Sequence, residues 1–278
     1  METFETIINL QQAAALIEND SPVVVDCRFY LEDVDRGRAA YEAGHIPTAQ
    51  YAHVNEDLSD LSIPGAGRHP LPSEGDMVDL FGRMGIASGK QVIVYDDTNG
   101  AGASRLWWML RYMGHDQVAV LDGGFPAWRD AGLSLIVGIE RGEAATFIGR
   151  PRREMLVERK DIGSETILVD SRAPERFRGE TEPIDPVAGH MPGAINRFHK
   201  LNFDENGRIL PDTELRRQFD DILGEVPATD ATFYCGSGVT ACNNLLALAH
   251  AGLGDGRLYA GSWSQWCGDP RNPIVVEE

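Results

Sequence analysis

The residues best placed to do chemistry are Cys235 and the five that follow it, Gly236, Ser237, Gly238, Val239 and Thr240. Ala231 to Tyr234 form a short, apolar, β-prone run, the pattern of a buried strand. From Ala241 onward apolar residues recur at Leu245, Leu248 and Ala249 and stop at Gly252, the pattern of a helix. A cysteine is therefore expected at the C-terminal end of a strand, on a Gly-rich loop, just ahead of a helix N-terminus. Inward-pointing loop N–H groups and the positive end of the helix dipole both stabilise a negative sulfur there and lower the thiol pKa.

Three readings compete for this loop. A lone cysteine is by default a buried structural residue, but two glycines that let the backbone curl around the sulfur count against that. Gly236-x-Gly238-x-x-Ala241 also fits a dinucleotide fingerprint, with Asp255 roughly 20 residues on as the acidic ribose ligand. The chain reaches Glu278 too soon for the βαβαβ half such a site needs. The third reading is a nucleophile in an anion cradle. Cysteine phosphatases close such a cradle with an arginine six positions after the cysteine; here that position is Ala241, which argues against phosphate esters.

The elements that must position this loop come in two sets. Leu10 to Asn19 reads as a helix, Pro22 to Asp26 as a buried strand, Ser73 to Met84 as a helix capped by Ser73, and Gln91 to Tyr95 as a strand. Asp96 to Ala103 is a Gly-rich loop, Ser104 to Met113 a helix, and Val118 to Leu121 a strand. The second half repeats the order. ILVD-SR at Ile167 matches VVVD-CR, GHMPGA at Gly189 matches GHIPTA at Gly44, and LYAGSWSQW at Leu258 matches LDGGFPAW. The loop at Cys235 matches DDTNGAGA. This is an internal duplication, and strands alternating with helices imply a parallel sheet covered by helices in each half. The expected boundaries are 1–136 and 161–278, with the charged, Gly-containing stretch 137–160 as linker.

Features shared by both halves point to fold, and features present once point to chemistry. His45 and His190 both sit in G-H-x-P-x-A, and Asp26 with Arg28 recurs as Asp170 with Arg172; these read as structural. Cys235 does not recur, since Asp96 takes its place, so the first half carries no nucleophile. Arg176 falls opposite Glu32, and His69, in GRHPLP, has no counterpart. The formal charge of −18 over 278 residues argues against nucleic acid or an anionic membrane as partner. The four cysteines show neither a CxxC pair nor metal-ligand spacing, no apolar run approaches membrane-spanning length, and METFETIINLQQ has no signal-peptide character. A reducing cytoplasm is the compartment these features suggest.

CGSGVTA, within YCGSGVTACNNLLAL, closely resembles the active loop of the rhodanese superfamily of sulfurtransferases, in the form seen in 3-mercaptopyruvate sulfurtransferases, and the likeness extends over nearly the whole chain. The resemblance implies an α/β fold of two tandem rhodanese-like domains. The first is inactive; the second is catalytic, with its active site at the cleft between them. It implies a persulfide on Cys235, formed from a small anionic donor, 3-mercaptopyruvate preferred, and collected by a thiol or by cyanide. The acceptor would be thioredoxin or a low-molecular-weight thiol, and no metal or organic cofactor is required. Thiosulfate:cyanide sulfur transfer and a persulfide carrier serving a dedicated protein are the alternatives. Arg176, in ERFRG, resembles the arginine that grips the donor anion, and a guanidinium suits a carboxylate; Arg178 is a weaker candidate. Backbone N–H groups of Gly236, Gly238, Val239, Thr240 and Ala241 would hold the charged sulfur, with Ser237 and Thr240 offering hydroxyls. His69 is either a surface loop histidine or, as the resemblance implies, the residue placed beside Ser237, with Asn55, Asp57 or Asp60 near its acidic partner's position. Cys242 reads as core and Trp263, paralleled by Phe125, as a structural aromatic. The chain departs from the family at EPIDPVAGH, where Ile184 stands in place of a second arginine; Arg197 or Lys200 could stand in for it.

Overall fold

A computed structural model describes residues 3–163 and 167–277. The chain divides into two compact units, one made of Met1–Ser59, Pro72–Arg152 and Glu205–Arg208, the other of Asp60–Leu71, Arg153–Asp204 and Ile209–Glu278. Segment Asp60–Leu71, which precedes most of the first unit in sequence, thus packs within the second, and it carries His69. Of the stretch 137–160, residues up to Arg152 belong to the first unit and those from Arg153 to the second.

The first unit holds a parallel sheet of β1 (Ile7–Ile8), β2 (Val23–Asp26), β3 (Gln50–Tyr51), β4 (Val92–Tyr95) and β5 (Val118–Leu121), in spatial order β1-β5-β4-β2-β3. Its helices are α1 (Leu10–Asn19), α2 (Arg36–Ala43), α3 (Glu74–Arg83), α4 (Ala101–Tyr112) and α5 (Gly124–Asp130). Every residue of β2, β4 and β5 is buried, as expected for parallel strands covered on both faces. Capping fixes where helices begin: Asn9 and Gln12 form a reciprocal capping box on α1, and the Ser73 hydroxyl accepts from Asp76 N at the start of α3.

The second unit holds β6 (Ile167–Asp170), β7 (Ile195–Asn196), β8 (Ala231–Tyr234) and β9 (Arg257–Leu258), all parallel, in spatial order β7-β6-β8-β9. Its α-helices are α6 (Pro174–Arg178), α7 (Asp212–Leu223), α8 (Ala241–His250) and α9 (Ser262–Trp266). Leu168, Met191, Tyr234, Tyr259, Trp263, Trp266 and Cys267 form one of its core clusters.

The repeated motifs do the same structural work in each unit. Asp26 and Arg28 pair at 2.6 Å with both side chains buried, and Arg28 also donates to Gly44 O and lies over the Phe125 ring. Asp170 and Arg172 pair at 2.7 Å, with Arg172 donating to Gly189 O and lying over Trp263. His45 Nδ1 bonds Tyr41 O and its ring stacks on Tyr41; His190 Nδ1 bonds Phe177 O and stacks on Phe177. Each ion pair ties the strand end to the loop ahead of the next strand, and each histidine is a buried residue whose Nδ1 is held by a backbone carbonyl, although His45 Nε2 is buried with no hydrogen-bond partner.

Candidate active site

Cys235 follows β8 directly and is 1 % exposed. Its peptide is fastened on both sides: Cys235 N donates to Ser262 Oγ, while Trp263 N and Ser264 N donate to the carbonyls of Cys235 and Gly236. The loop then turns back under the sulfur, and Gly238 N donates to Cys235 Sγ at 3.1 Å. This turn requires glycine. Gly238 has φ +77° and lies against Ala260, so that a β-carbon there would stand 2.4 Å from Ala260 O. α8 begins immediately afterwards at Ala241, placing its positive end at the loop.

Asp96, at the matching place in the first unit, shows what such a loop holds. Its Oδ1 accepts from Thr98 N and Gly100 N, and Oδ2 from Ala103 N. The protein fills this cradle with its own carboxylate. Burial pushes the Asp96 pKa up, and those three N–H groups pull against it.

The other cysteines are core. Cys27 is fully buried and its thiol is pushed well up by burial and then by Asp26 and Asp96; Cys267 is likewise raised by burial. Cys242 lies on α8 and donates to Gly238 O. Trp263 is buried and bonds Val187 O through its ring N–H.

Segment Asp60–Leu71 brings His69 to the loop. His69 Nδ1 lies 2.8 Å from Ser237 Oγ, with both residues buried. Asp57 accepts from His53 N, and Asp60 from the backbone and hydroxyl of Ser62.

Arg176, on α6, donates through Nε and Nη2 to the two carboxylate oxygens of Glu182, at 3.1 and 2.6 Å, and through Nη2 to Asp185 Oδ2 at 3.3 Å. Burial tends to raise the Glu182 pKa, but its bonds from Arg176 and from the N–H groups of Asp185 and Ile184 prevail and lower it. Arg178 is a surface residue paired with Glu180.

Two residues expected to stand in for the missing arginine do not. Arg197 is buried, with Nη1 donating to Asn202 and Asn244 and Nη2 to Gln218, and burial lowers its pKa to about 10. It braces α8 from below. Lys200 is exposed, with its ammonium 5.8 Å from the Phe198 ring. The residue that sequence reasoning missed is Arg68. Its Nη1 donates to Asp185 Oδ1 at 2.6 Å, and its Nη2 lies 2.8 Å from where a β-carbon of Gly236 would be. The sequence signal was its place beside His69, already a candidate in that segment.

A thiol receiving a backbone N–H at a helix N-terminus, a Ser–His pair beside it and guanidinium groups over the loop can bind an anion, attack it and move a proton. Residues 9–131 and 153–269 both match the rhodanese-like domain. The chain belongs to the rhodanese family. It is 43 % identical over 277 residues to the "Probable 3-mercaptopyruvate sulfurtransferase" of Pseudomonas aeruginosa, covering 97 % of this chain and 98 % of that one. It is 32 % identical over 250 residues to the thiosulfate sulfurtransferase of Gallus gallus, covering 87 % and 85 % of the two chains. Among solved structures it resembles the 3-mercaptopyruvate sulfurtransferase from Leishmania major, with a TM-score of 0.85 and 32 % identity over 96 % of this chain and 76 % of that one. Two parallel sheets flanked by helices are thus the rhodanese architecture in tandem. Among the described residues no helix is long and apolar enough to cross a membrane, and no group of His, Cys, Asp and Glu could hold a metal ion.

Proposed function

We propose that this protein is a sulfurtransferase that takes sulfur from 3-mercaptopyruvate onto Cys235 and passes it to a thiol. The Cys235 thiolate attacks the donor's sulfur, an S–S bond forms, and the donor's C–S bond breaks with its electron pair left on carbon. That carbanion is a pyruvate enolate, and it must gain a proton. An acceptor thiolate then attacks the outer sulfur of the persulfide and releases Cys235 as thiolate. The cycle is covalent catalysis in two half-reactions. The Gly238 N–H steadies the charged sulfur in both. Arg176 orients the donor's anionic end, and Thr240 lies on the same loop.

The observation that carries the choice of donor is the 2.8 Å contact of His69 Nδ1 with Ser237 Oγ. Thiosulfate releases sulfite, which is stable as an anion and needs no proton at the moment of cleavage. A histidine-backed hydroxyl beside the thiol is useful when the leaving group is carbon. Thioredoxin or a low-molecular-weight thiol is the acceptor expected of such a persulfide, in a cytoplasmic setting.

Intact mass measured after donor addition tests the reading: the native protein gains one sulfur atom and Cys235→Ser gains none. Pyruvate release from mercaptopyruvate is compared with sulfite release from thiosulfate by kcat/KM. A kcat/KM in favour of thiosulfate would overturn the donor assignment, and sulfur uptake by Cys235→Ser would overturn the nucleophile.

A further inference from the structure

We propose that the cavity between segment Asp60–Leu71 and the turn Tyr259–Gly261 is a binding site for a small amphipathic organic acid, apolar in its body and ending in a carboxylate. A ligand there steadies the segment that carries His69. The site is separate from the sulfur chemistry, and its test needs no turnover.

Segment Asp60–Leu71 is a closed loop. Asp60 N donates to Pro70 O at 2.9 Å, which brings its ends together. It is fastened to the body of its own unit: Gly65 O accepts from Gln265 Nε2 at 3.4 Å, and Arg68 N donates to Ser264 Oγ at 2.9 Å. Gly67, with φ +99°, closes so near Gly261 that a β-carbon would stand 2.6 Å from Gly261 O. Beside these ties lies an open-sided cavity of about 600 Å³, within the range of small-molecule sites. Ile63, Pro70 and Leu71 line it from the segment, and Leu156, Val157 and Tyr259 from the body. Ile63 is 43 % exposed. A ligand with an apolar body would take this aliphatic lining out of water.

The polar groups of the lining fix the other end of the ligand. Arg159 donates to Asp269 Oδ2 through Nη1 at 2.7 Å, and its parallel Nε/Nη2 edge has no protein acceptor among the described residues. That edge matches a carboxylate. Burial raises the pKa of the Tyr259 phenol, and the Arg159 charge lies close enough to pull the other way. The phenol donates to Gln265 Oε1, so its oxygen still accepts. Glu158, an acid of the same lining, is taken up by Lys160 at 2.6 Å. The cavity thus joins an apolar body to an open guanidinium edge, the pattern that suits an amphipathic anion.

The cavity shares a wall with the active loop. Ala260 and Gly261 line it, and Gly238 rests so near Ala260 that a β-carbon would stand 2.4 Å from Ala260 O. His69 follows the pinned Gly67 and Arg68 and meets Ser237. Cys235 and Ser237 are not among the residues lining the cavity. An occupant therefore touches both pieces that hold the active loop without standing in the place of a sulfur donor.

The test uses the full-length protein and the probe 3-phenylpropanoate, an aromatic body on a carboxylate with neither thiol nor keto group. It is titrated at pH 7.5 and followed by amide chemical shifts. We expect saturable shifts at Ala66, Leu71, Val157 and Tyr259, with a dissociation constant on the order of 1 mM, as suits a ligand of this size. Saturating pyruvate should leave that binding unchanged. Propanoate lacks the apolar body and 3-phenylpropan-1-ol lacks the charge, and each should bind at least about tenfold more weakly. Arg159→Gln should weaken the acid by roughly tenfold and leave the alcohol as it is. Ala66→Phe, which fills the cavity from the segment, should abolish binding. In the native protein the probe should slow hydrogen exchange of the amides between Leu61 and Ala66. Displacement of the probe by pyruvate would put it in the active site and overturn the proposal. Undiminished binding to Ala66→Phe, or no saturable shift in the native protein, would overturn it too. Equal binding of acid and alcohol would overturn the carboxylate class, and binding without slower exchange would overturn the steadying of the segment. A protein that binds the probe as described yet loads no sulfur would defeat the sulfurtransferase reading alone.

Discussion

His69 Nδ1 sits 2.8 Å from Ser237 Oγ, two residues after the nucleophile. A serine so placed can hand its proton to a carbanion only if the imidazole returns one to it. The pair is therefore expected to matter where a carbanion is formed. His69→Ala and Ser237→Ala should each lower pyruvate formation from mercaptopyruvate by about 10²–10⁴-fold, the usual worth of a positioned proton donor. The double variant should lose little more than either single one, because the two act as a unit. Sulfite release from thiosulfate should change by a few-fold at most. Equal losses with both donors would mean that the pair shapes the loop rather than moving a proton.

Gly238 is held at φ +77° with its N–H on Cys235 Sγ. Gly238→Ala puts a methyl against Ala260 O and forces an L-residue into the left-handed region, so we expect a stability loss of about 1–3 kcal/mol. The N–H also swings off the sulfur. Alkylation of Cys235 by iodoacetamide at neutral pH should slow markedly in the variant even at temperatures where it remains folded. An unchanged alkylation rate would show that Gly238 does not activate the thiol.

Much of this was legible from the chain. Strand β8, the loop and helix α8 follow from one run of residues, and the duplication separated His45, His190 and the two Asp–Arg pairs from the singular Cys235. Two things were not legible. Segment Asp60–Leu71 packs with the unit that follows it much later in sequence, and no local pattern encodes a long-range partner for an irregular polar loop. For the same reason Arg68 was passed over, while Arg197, nearer in sequence to the expected position, was considered and proves to be engaged by Asn202, Asn244 and Gln218. Helix α2 was hidden by its composition: RGRAAYEA buries only Gly37 and Tyr41, too few apolar residues to show a helical period.

Asp96 offers a control for the nucleophile. Asp96→Ala removes the acceptor of three backbone N–H groups, two of them partly buried and that of Ala103 buried, which should destabilise the first unit by about 2–4 kcal/mol. Sulfur uptake per folded molecule should stay at one atom, because the thiol belongs to the other repeat. Differential scanning calorimetry with intact mass measurement checks both halves of this expectation. A drop in sulfur uptake larger than the drop in folded protein would contradict it.

His199 supplies the pH dependence. Burial, and after it the Lys200 charge, lowers its pKa from the ordinary 6.5 to about 4, and its Nδ1 faces the Asn243 side chain on α8. Between those two values the unfolded chain binds a proton that the folded chain does not. Stability is therefore greatest above about pH 6.5, falls as the pH drops through that window, and levels off below about 4. At pH 5 this one group should remove at most about 2 kcal/mol relative to pH 7.5. His199→Asn keeps a polar side chain beside Asn243 and cannot titrate, so its urea midpoint should fall less than the native midpoint does on going from pH 7.5 to pH 5. If the two proteins lose stability in parallel over that range, the acid sensitivity lies elsewhere and the imidazole at position 199 is free to protonate in the folded state.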